Sequence, residues 1–247
     1  MFNRLFSVFL ILGLLAAGCG AVNRSVSIPD GTELDDNVTN INGSITIGRD
    51  CRINGKIRNV NGQVRISENA RVGQVSNTNG SISIASGART GAIGNTNGRI
   101  RLADSVRVEG GVVSTNGPVE TGAEVHVDGD IQTANGRIRT GTGSVITGEV
   151  ETTNGSIELV GTEAAGVSGA NGSIELLDGT RIAGDVYVRR PSGSNSSSRL
   201  PRVVIGADTV VEGTLQFERD VELYIHETAR TGQVIGAEPI RFSGDSP

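Results

Sequence analysis

The sequence TNGSISI at residues 78–84 decides the fold, because close copies of it return along most of the chain. The copies read INGSITI at 41–47, VNGQVRI at 60–66, TNGRIRL at 96–102, TNGPVET at 115–121, ANGRIRT at 134–140, TNGSIEL at 153–159 and ANGSIEL at 170–176. The interval between successive Asn-Gly pairs of this series is nearly constant from the first copy to the last. A constant period is typical of a solenoid, in which each repeat forms one coil.

Within each coil the residues alternate as they do in a β-strand. After the corner glycine, the sequence Ser81-Ile82-Ser83-Ile84 places apolar side chains on one face of an extended chain. A second apolar pair, such as Val106 and Val108, follows in the coil, and one more apolar residue precedes the next corner. We therefore predict an all-β fold, a single-stranded parallel β-helix (β-solenoid). It has about 18–19 residues and three short strands per coil over residues 25–188.

The corner asparagines have a structural role in this interpretation. An Asn-Gly pair between strands ordinarily predicts a two-residue hairpin, but hairpins do not return at one fixed phase along a chain. Stacked coils instead bring equivalent side chains together, so that amides can hydrogen-bond from coil to coil, while glycine adopts positive φ without steric cost. The predicted ladder, whose amides we expect to be buried, comprises Asn42, Asn61, Asn79, Asn97, Asn116, Asn135, Asn154 and Asn171.

Composition agrees with a thin interior. The chain has 36 glycines and 3% aromatic residues, and no aromatic residue lies between residues 10 and 186. A core of Val, Ile, Leu and Ala columns needs none, whereas thick globular cores depend on them. The formal net charge of −5 gives no electrostatic footprint for nucleic acid.

Charged residues also fall into columns on the outside. Three positions after the corner glycines, the signs alternate from coil to coil through Arg101, Glu120, Arg139 and Glu158. Opposite charges one coil apart stabilise neighbouring strands, which favours a solvated face. The alternative is a basic stripe for an anionic polymer, formed by Arg99, Arg101, Arg137 and Arg139.

The amino-terminal segment, residues 1–18, is predicted to be an export signal. Its apolar run from Leu5 to Ala17 is too short to span a hydrocarbon core of about 30 Å. The run Leu15-Ala16-Ala17-Gly18-Cys19 resembles the lipobox of bacterial lipoproteins, with a plain secretory signal as the alternative. The resemblance implies cleavage before Cys19, acylation of that cysteine and, with Gly20 following it, attachment to the periplasmic face of the outer membrane.

Residues 19–24 then form a short lipidated tether. With Cys19 acylated, Cys51 has no partner for an internal disulfide. A small buried filler is one interpretation of Cys51, and a reactive or intermolecular thiol is the other.

The carboxy-terminal part departs from the repeat. Residues 189–202 are predicted to be a surface loop rich in Arg, Ser and Pro, either a tolerated insertion or a site for an anionic partner, through Arg189, Arg190, Arg199 and Arg202. Residues 203–247 are predicted to form terminal coils and a cap. The aromatic residues that gather there either plug the core or pack against a second molecule, and they are Phe217, Tyr224 and Phe242.

From about Ser25 to Phe242 the chain resembles the polymer-forming, bactofilin-like β-helix proteins of bacteria. The resemblance rests on the short, constant length of the coils, on units such as Ile182-Ala183-Gly184-Asp185-Val186, and on stacking without aromatics. It implies a right-handed β-helix and assembly without nucleotide. The leader, the Asn-Gly corner and the loop at 189–202 are departures from that family.

Together these features predict a non-enzymatic, membrane-anchored periplasmic scaffold of the cell envelope, with no cofactor or metal. Its expected partners are the membrane, a second copy at the solenoid ends, and a cell-wall or envelope component. The alternative is a β-helix enzyme or binding protein acting on envelope polysaccharide: a lyase, an acyltransferase or an adhesin. Dispersed carboxylates argue against a lyase, and neither His126 nor His226 lies in an acyltransferase motif.

Overall fold

Residues 23–191, 200–244 and 246–247 are described by a computed structural model. The leader, Cys19 and Arg199 lie outside the described residues. The described part contains no helix and forms a β-solenoid of about 11 turns with about 19 residues per turn. The predicted fold class and coil length are therefore confirmed.

Three rows of strands run along the solenoid, and we number them in the order in which a coil visits them. Face 1 is one parallel sheet of 12 strands, whose members are neighbours across successive coils. They are β1 (Val26–Ile28), β4 (Ile45–Ile47), β7 (Val64–Ile66), β10 (Ile82–Ile84), β12 (Ile100–Leu102), β14 (Val119–Thr121), β17 (Ile138–Thr140), β19 (Ile157–Val160), β21 (Ile174–Leu177), β24 (Arg202–Ile205), β27 (Glu222–His226) and β30 (Pro239–Phe242).

Face 2 follows face 1 in each coil and consists mostly of two-residue strands. They are β2 (Glu33–Leu34), β5 (Arg52–Ile53), β8 (Arg71–Val72), β15 (His126–Val127), β22 (Arg181–Ile182), β25 (Val210–Val211) and β28 (Arg230–Thr231). Four longer strands continue from face 2 into face 3 without a break: β11 (Arg89–Asn97), β13 (Arg107–Asn116), β18 (Val145–Thr152) and β20 (Glu163–Gly169).

Face 3 leads to the Asn-Gly corner and thus back to face 1. Its separate strands are β3 (Val38–Asn42), β6 (Ile57–Asn61), β9 (Val75–Asn79), β16 (Ile131–Thr133), β23 (Val186–Val188), β26 (Leu215–Phe217) and β29 (Val234–Ile235). All pairings are parallel, and equivalent residues of successive coils are in register, as in Ile82 with Ile100.

The core is a set of aliphatic columns along the axis. On face 1 the apolar pair of each coil is buried, as the alternation predicts; Ile82 is 0% exposed and Ile84 2%. Val75 and Val112 on face 3 are likewise buried, as is Val108 on face 2. Burial of aliphatic area of this kind is the main stabilising contribution to the fold.

Two features require glycine at the corners: the backbone angles, and the close approach of the neighbouring coil. Gly80 and Gly98 adopt φ of 129° and 122°, where glycine is favoured. A side chain at Gly136 would collide with the carbonyl oxygen of Gly117, the corner glycine one coil before, although Gly136 has no positive φ. Successive corners therefore stack backbone on backbone, which no other residue type permits.

Candidate functional site

The asparagines of the Asn-Gly corners form a continuous hydrogen-bonded ladder. In each step the Nδ2 of one asparagine donates to the Oδ1 of the asparagine one coil before. The bonded pairs and their distances are Asn42–Asn23 3.1 Å, Asn61–Asn42 2.8 Å, Asn79–Asn61 2.9 Å, Asn97–Asn79 2.9 Å, Asn116–Asn97 3.0 Å, Asn135–Asn116 2.8 Å, Asn154–Asn135 2.8 Å and Asn171–Asn154 2.8 Å. The repeat thus links the coils through side chains as well as backbone.

The ladder lies on the surface, which differs from the buried amides expected from the sequence. Asn116 and most other members are exposed, and Asn42 and Asn171 are half-buried. Asn23, which precedes the first full repeat, forms the first rung. At the far end the guanidinium of Arg219 donates to Asn171 Oδ1 at 3.3 Å and to the Ala170 carbonyl at 3.1 Å. The ladder is therefore closed by a cation rather than left open.

A second polar column lies inside the solenoid, two residues before each corner asparagine. All seven members are at most 5% exposed, and they are Asn40, Asn59, Asn77, Asn95, Ser114, Thr133 and Thr152. Several bond to corner glycines: Asn95 Nδ2 donates to the carbonyls of Gly80 at 3.0 Å and Gly98 at 2.8 Å. Asn77, Thr133 and Thr152 likewise donate to corner-glycine carbonyls. The side chains of Asn40, Asn59 and Ser114 have no hydrogen-bond partner among the described residues.

This interior column was not predicted from the sequence, although a signal was present. Asn77 and Asn79 are two residues apart, so on a strand they point to the same side, and the Asn-x-Asn spacing occurs in four successive coils. Along the axis the column then changes to Ser, Thr, Gly169, Val188 and finally Phe217. The predicted end residue Phe217, 5% exposed, is therefore the last member of an interior column and belongs to the core.

On face 1 the outward charges form ion pairs between coils. Arg139 Nε lies 3.2 Å from Glu158 Oε1, and Arg99 Nε lies 3.7 Å from Glu120 Oε1. Glu120 therefore interrupts the basic stripe considered from the sequence, since it lies in register between Arg101 and Arg139.

Two of the four arginines assigned to the loop at 189–202 lie on the solenoid. Arg189 is ion-paired with Glu151, and its guanidinium also donates to Ser168 Oγ at 2.6 Å. Arg202 begins β24, and its guanidinium carbon lies 5.1 Å from the centre of the Tyr224 ring. The backbone N–H of Arg190 donates to Glu218 Oε2 at 3.1 Å.

A groove of about 590 Å³ opens on face 3 where one coil is short. The step from Asn154 to Asn171 is two residues shorter than the step before it, from Asn135 to Asn154. The groove lies over this short coil, and Gly166 is among the residues that line it. Its walls carry Glu149, Glu151, Asp185, Tyr187, Arg189 and Gln216.

Tyr187 lines this groove, and its phenol is hydrogen-bonded to Glu218. The bond to Glu218 raises the pKa of the Tyr187 phenol, with burial acting in the same direction. The same bond, followed by the backbone N–H of Arg190, lowers the pKa of Glu218. The phenol thus stays protonated and donating, beside an ionised carboxylate, across neutral pH.

In the last rung of the solenoid a proline and an arginine, both exposed, occupy the register positions whose residues are inward in the coil before. Pro239 is in register with buried Leu223, and Arg241 is in register with buried Ile225. Phe242 is half-buried and packs edge-on against His226, with ring centres 5.0 Å apart. It lies beside the core and does not plug it.

The remaining candidate side chains are placed as follows. Cys51 is 1% exposed, and its thiol lies 3.0 Å from the Pro29 carbonyl. His126 Nε2 lies 2.6 Å from Asp128 Oδ1, and this bond, together with the Arg107 guanidinium, lowers the pKa of Asp128 against the opposing effect of burial.

The described residues, 23–191, 200–244 and 246–247, contain neither a metal-binding cluster nor a membrane-spanning helix. In those ranges no group of three or more His, Cys, Asp or Glu side chains is arranged to hold a metal ion. Over the same ranges, no helix has the length and apolarity needed to cross a bilayer.

In comparisons with known proteins, no family model, no curated protein and no solved structure matches this chain. The bactofilin-like and lipoprotein resemblances therefore stay predictions, while the class of protein that the fold defines is a β-solenoid repeat protein.

Proposed function

We propose that this chain is a non-enzymatic, membrane-anchored scaffold lipoprotein of the bacterial cell envelope, held at the periplasmic face of the outer membrane. The observation that carries the proposal is the leader ending in Leu15-Ala16-Ala17-Gly18-Cys19, directly ahead of a solenoid. Several acyl chains on Cys19 would supply a stable anchor, because each buried CH₂ contributes about 0.8 kcal/mol.

The geometry of the solenoid supports the scaffold role. The first strand, β1, begins at Val26, only seven residues after Cys19, so the rod would start within about 25 Å of its anchor. About 11 coils are stacked in register through their backbones, and the asparagine ladder links those from Asn23 to Asn171 through side chains as well. The long outer faces of the solenoid carry side chains at a fixed axial spacing, which suits binding to an extended envelope component.

Self-association through the carboxy-terminal end is not favoured by the last rung. Pro239 lacks an N–H for a further strand, and the charge of Arg241 occupies the register position of buried Ile225. Proline and charged residues on an edge strand are devices by which proteins block strand addition at a sheet edge. We therefore propose that the anchored rods do not join through their carboxy-terminal coils.

The test is fractionation of a bacterium that exports the protein. We expect the wild-type chain to be in the membrane fraction and to incorporate a labelled fatty acid, and we expect Cys19→Ser to do neither. Cys51→Ser is the matched control, since Cys51 is buried in the solenoid. Label entering Cys19→Ser, or a soluble wild-type chain, would contradict the anchor.

A further inference from the structure

Four arginines stack in register on face 2, one in each of four successive coils. Arg52 pairs with Arg71, Arg71 with Arg89, and Arg89 with Arg107. We call these four residues the arginine ladder. Strand spacing along a sheet is about 4.8 Å, so the ladder is a straight row about 14 Å long.

Most of this charge is not neutralised by the protein. Arg107 donates to Asp128 Oδ2 at 2.8 Å. Arg52, Arg71 and Arg89 are exposed, and within the described ranges no ion pair or side-chain hydrogen bond involves them.

The residues next to the arginine ladder explain why only Arg107 forms an ion pair with another described residue. Asp128 lies in the coil after Arg107, two residues beyond the residue that is in register with that arginine. At the equivalent position, Arg52 has Gly73 and Arg71 has Gly91, so neither arginine has an acidic residue there. For Arg89 the equivalent position is occupied by Glu109, which forms no ion pair with Arg89. Glu33 is in register with Arg52 at the start of the row.

Such a row is unfavourable for the fold itself. Like charges directly opposite on neighbouring strands destabilise a sheet. From Arg101 to Glu158 the face 1 column avoids this, because Glu120 lies between Arg101 and Arg139. Further along the same column, Glu158 and Glu175 are in register. Three unneutralised guanidiniums in a row, on a chain of net charge −5, therefore indicate a partner that supplies the anions.

We propose that the arginine ladder binds an extended acidic polysaccharide, with successive carboxylates paired to successive guanidiniums. Guanidinium matches the planar carboxylate in bidentate geometry. One carboxylate per sugar gives a polymer repeat of the same order as the coil spacing. Beside the row, Gly73 and Gly91 have no side chains, so sugar rings can approach the backbone there.

Single-stranded nucleic acid is a poorer fit. Proteins that bind it combine basic grooves with aromatic side chains on which bases stack. The coils that carry the ladder have no aromatic residue, since none occurs between residues 10 and 186. The site lies on the solenoid itself, so this proposal does not depend on acylation of Cys19.

The test is titration with polygalacturonate at low and at physiological ionic strength. It uses the full chain carrying Cys19→Ser, which cannot be acylated. We expect binding that weakens with salt, and a loss of at least tenfold in affinity for Arg71→Gln/Arg89→Gln. The matched control is Arg101→Gln/Arg139→Gln, which removes the same charge from face 1 and should change affinity less than threefold.

Each other outcome overturns the proposal. These are a wild-type chain that does not bind polygalacturonate, an equal loss in the face 1 control, and tighter binding of polyphosphate or oligodeoxythymidylate of equal charge. Thermal melting separates binding from folding: Arg71→Gln/Arg89→Gln should melt no lower than wild type, because it relieves repulsion. A lower melting temperature would show that the ladder is structural.

Discussion

At the residue scale, the buried asparagines of the interior column differ in whether their side-chain amides are hydrogen-bonded. Asn59 is 1% exposed, and neither its amide oxygen nor its amide nitrogen has a hydrogen-bond partner among the described residues. Asn95, two coils on, donates to two corner carbonyls. A buried amide without partners costs free energy, whereas a bonded one contributes to stability.

We predict opposite effects of the same substitution at these two positions. Asn59→Val should raise the free energy of unfolding by about 1–2 kcal/mol, because it removes an unpaired polar group. Asn95→Val should lower it by about 1–3 kcal/mol, because the carbonyls of Gly80 and Gly98 lose their donor. Urea denaturation measures both, and a shift of the same sign in the two variants would contradict this account.

At the scale of the element, the Asn-Gly corner combines two requirements. The asparagine bonds to the corners before and after it, and the glycine permits those corners to stack backbone on backbone. Asn116 both donates to Asn97 and accepts from Asn135. Its exposure means that water can replace part of what is lost on substitution.

We therefore predict that Asn116→Ala destabilises the solenoid by about 1–2 kcal/mol, the net value of two hydrogen bonds. Ser81→Ala is the control and should change stability little, because the Ser81 side chain has no hydrogen bond to the part of the chain that the structure describes. The two variants are compared by thermal melting. Equal melting temperatures would show that the ladder contributes nothing.

The sequence predicts those features of the strands and corners that repeat with a fixed period, and it does not predict features that depend on how coils are aligned in space. The buried pair Ile82 and Ile84 follows from period-two alternation, and the stacking of corners follows from the constant interval. The arginine ladder was missed because Arg71 and Arg89 look like ordinary outward residues until coil register aligns them. The groove beside Tyr187 depends on how a short coil is accommodated, which no local pattern contains.

At the scale of the whole molecule, the two ends of the solenoid decide whether rods can join. Val26 and Leu34 at the first coil are half-buried and pack against the core. At the other end Ile240 is 54% exposed and lies outside, while Pro239 and Arg241 occupy the inward register positions. The sequence analysis concentrated on Phe242. It therefore missed the part that Pro239 and Arg241 play in closing this end of the solenoid.

We predict that the full chain carrying Cys19→Ser is monomeric in light scattering. Pro239→Val/Arg241→Val in that background should associate as concentration rises, because it restores a donor and an apolar inward position to the edge strand. Ile235→Val, at an exposed position one strand earlier, is the control and should stay monomeric. A wild-type oligomer that Phe242→Arg dissolves would contradict the capped end and support an interface there.

The central claim is that equivalent residues of successive repeats lie side by side on successive coils. Arg101 and Glu120 are in register on adjacent strands of face 1, about 4.8 Å apart, within the range that a disulfide can bridge. Arg101 and Arg139 point the same way but lie two coils apart, beyond that range.

Disulfide formation between introduced cysteines tests this claim most directly. In a background of Cys19→Ser, the pair Arg101→Cys/Glu120→Cys should form an intramolecular disulfide under mild oxidation, visible as a mobility shift that a reductant reverses. The pair Arg101→Cys/Arg139→Cys should not. A disulfide in the second pair, or in neither pair, would contradict the stacked-coil solenoid.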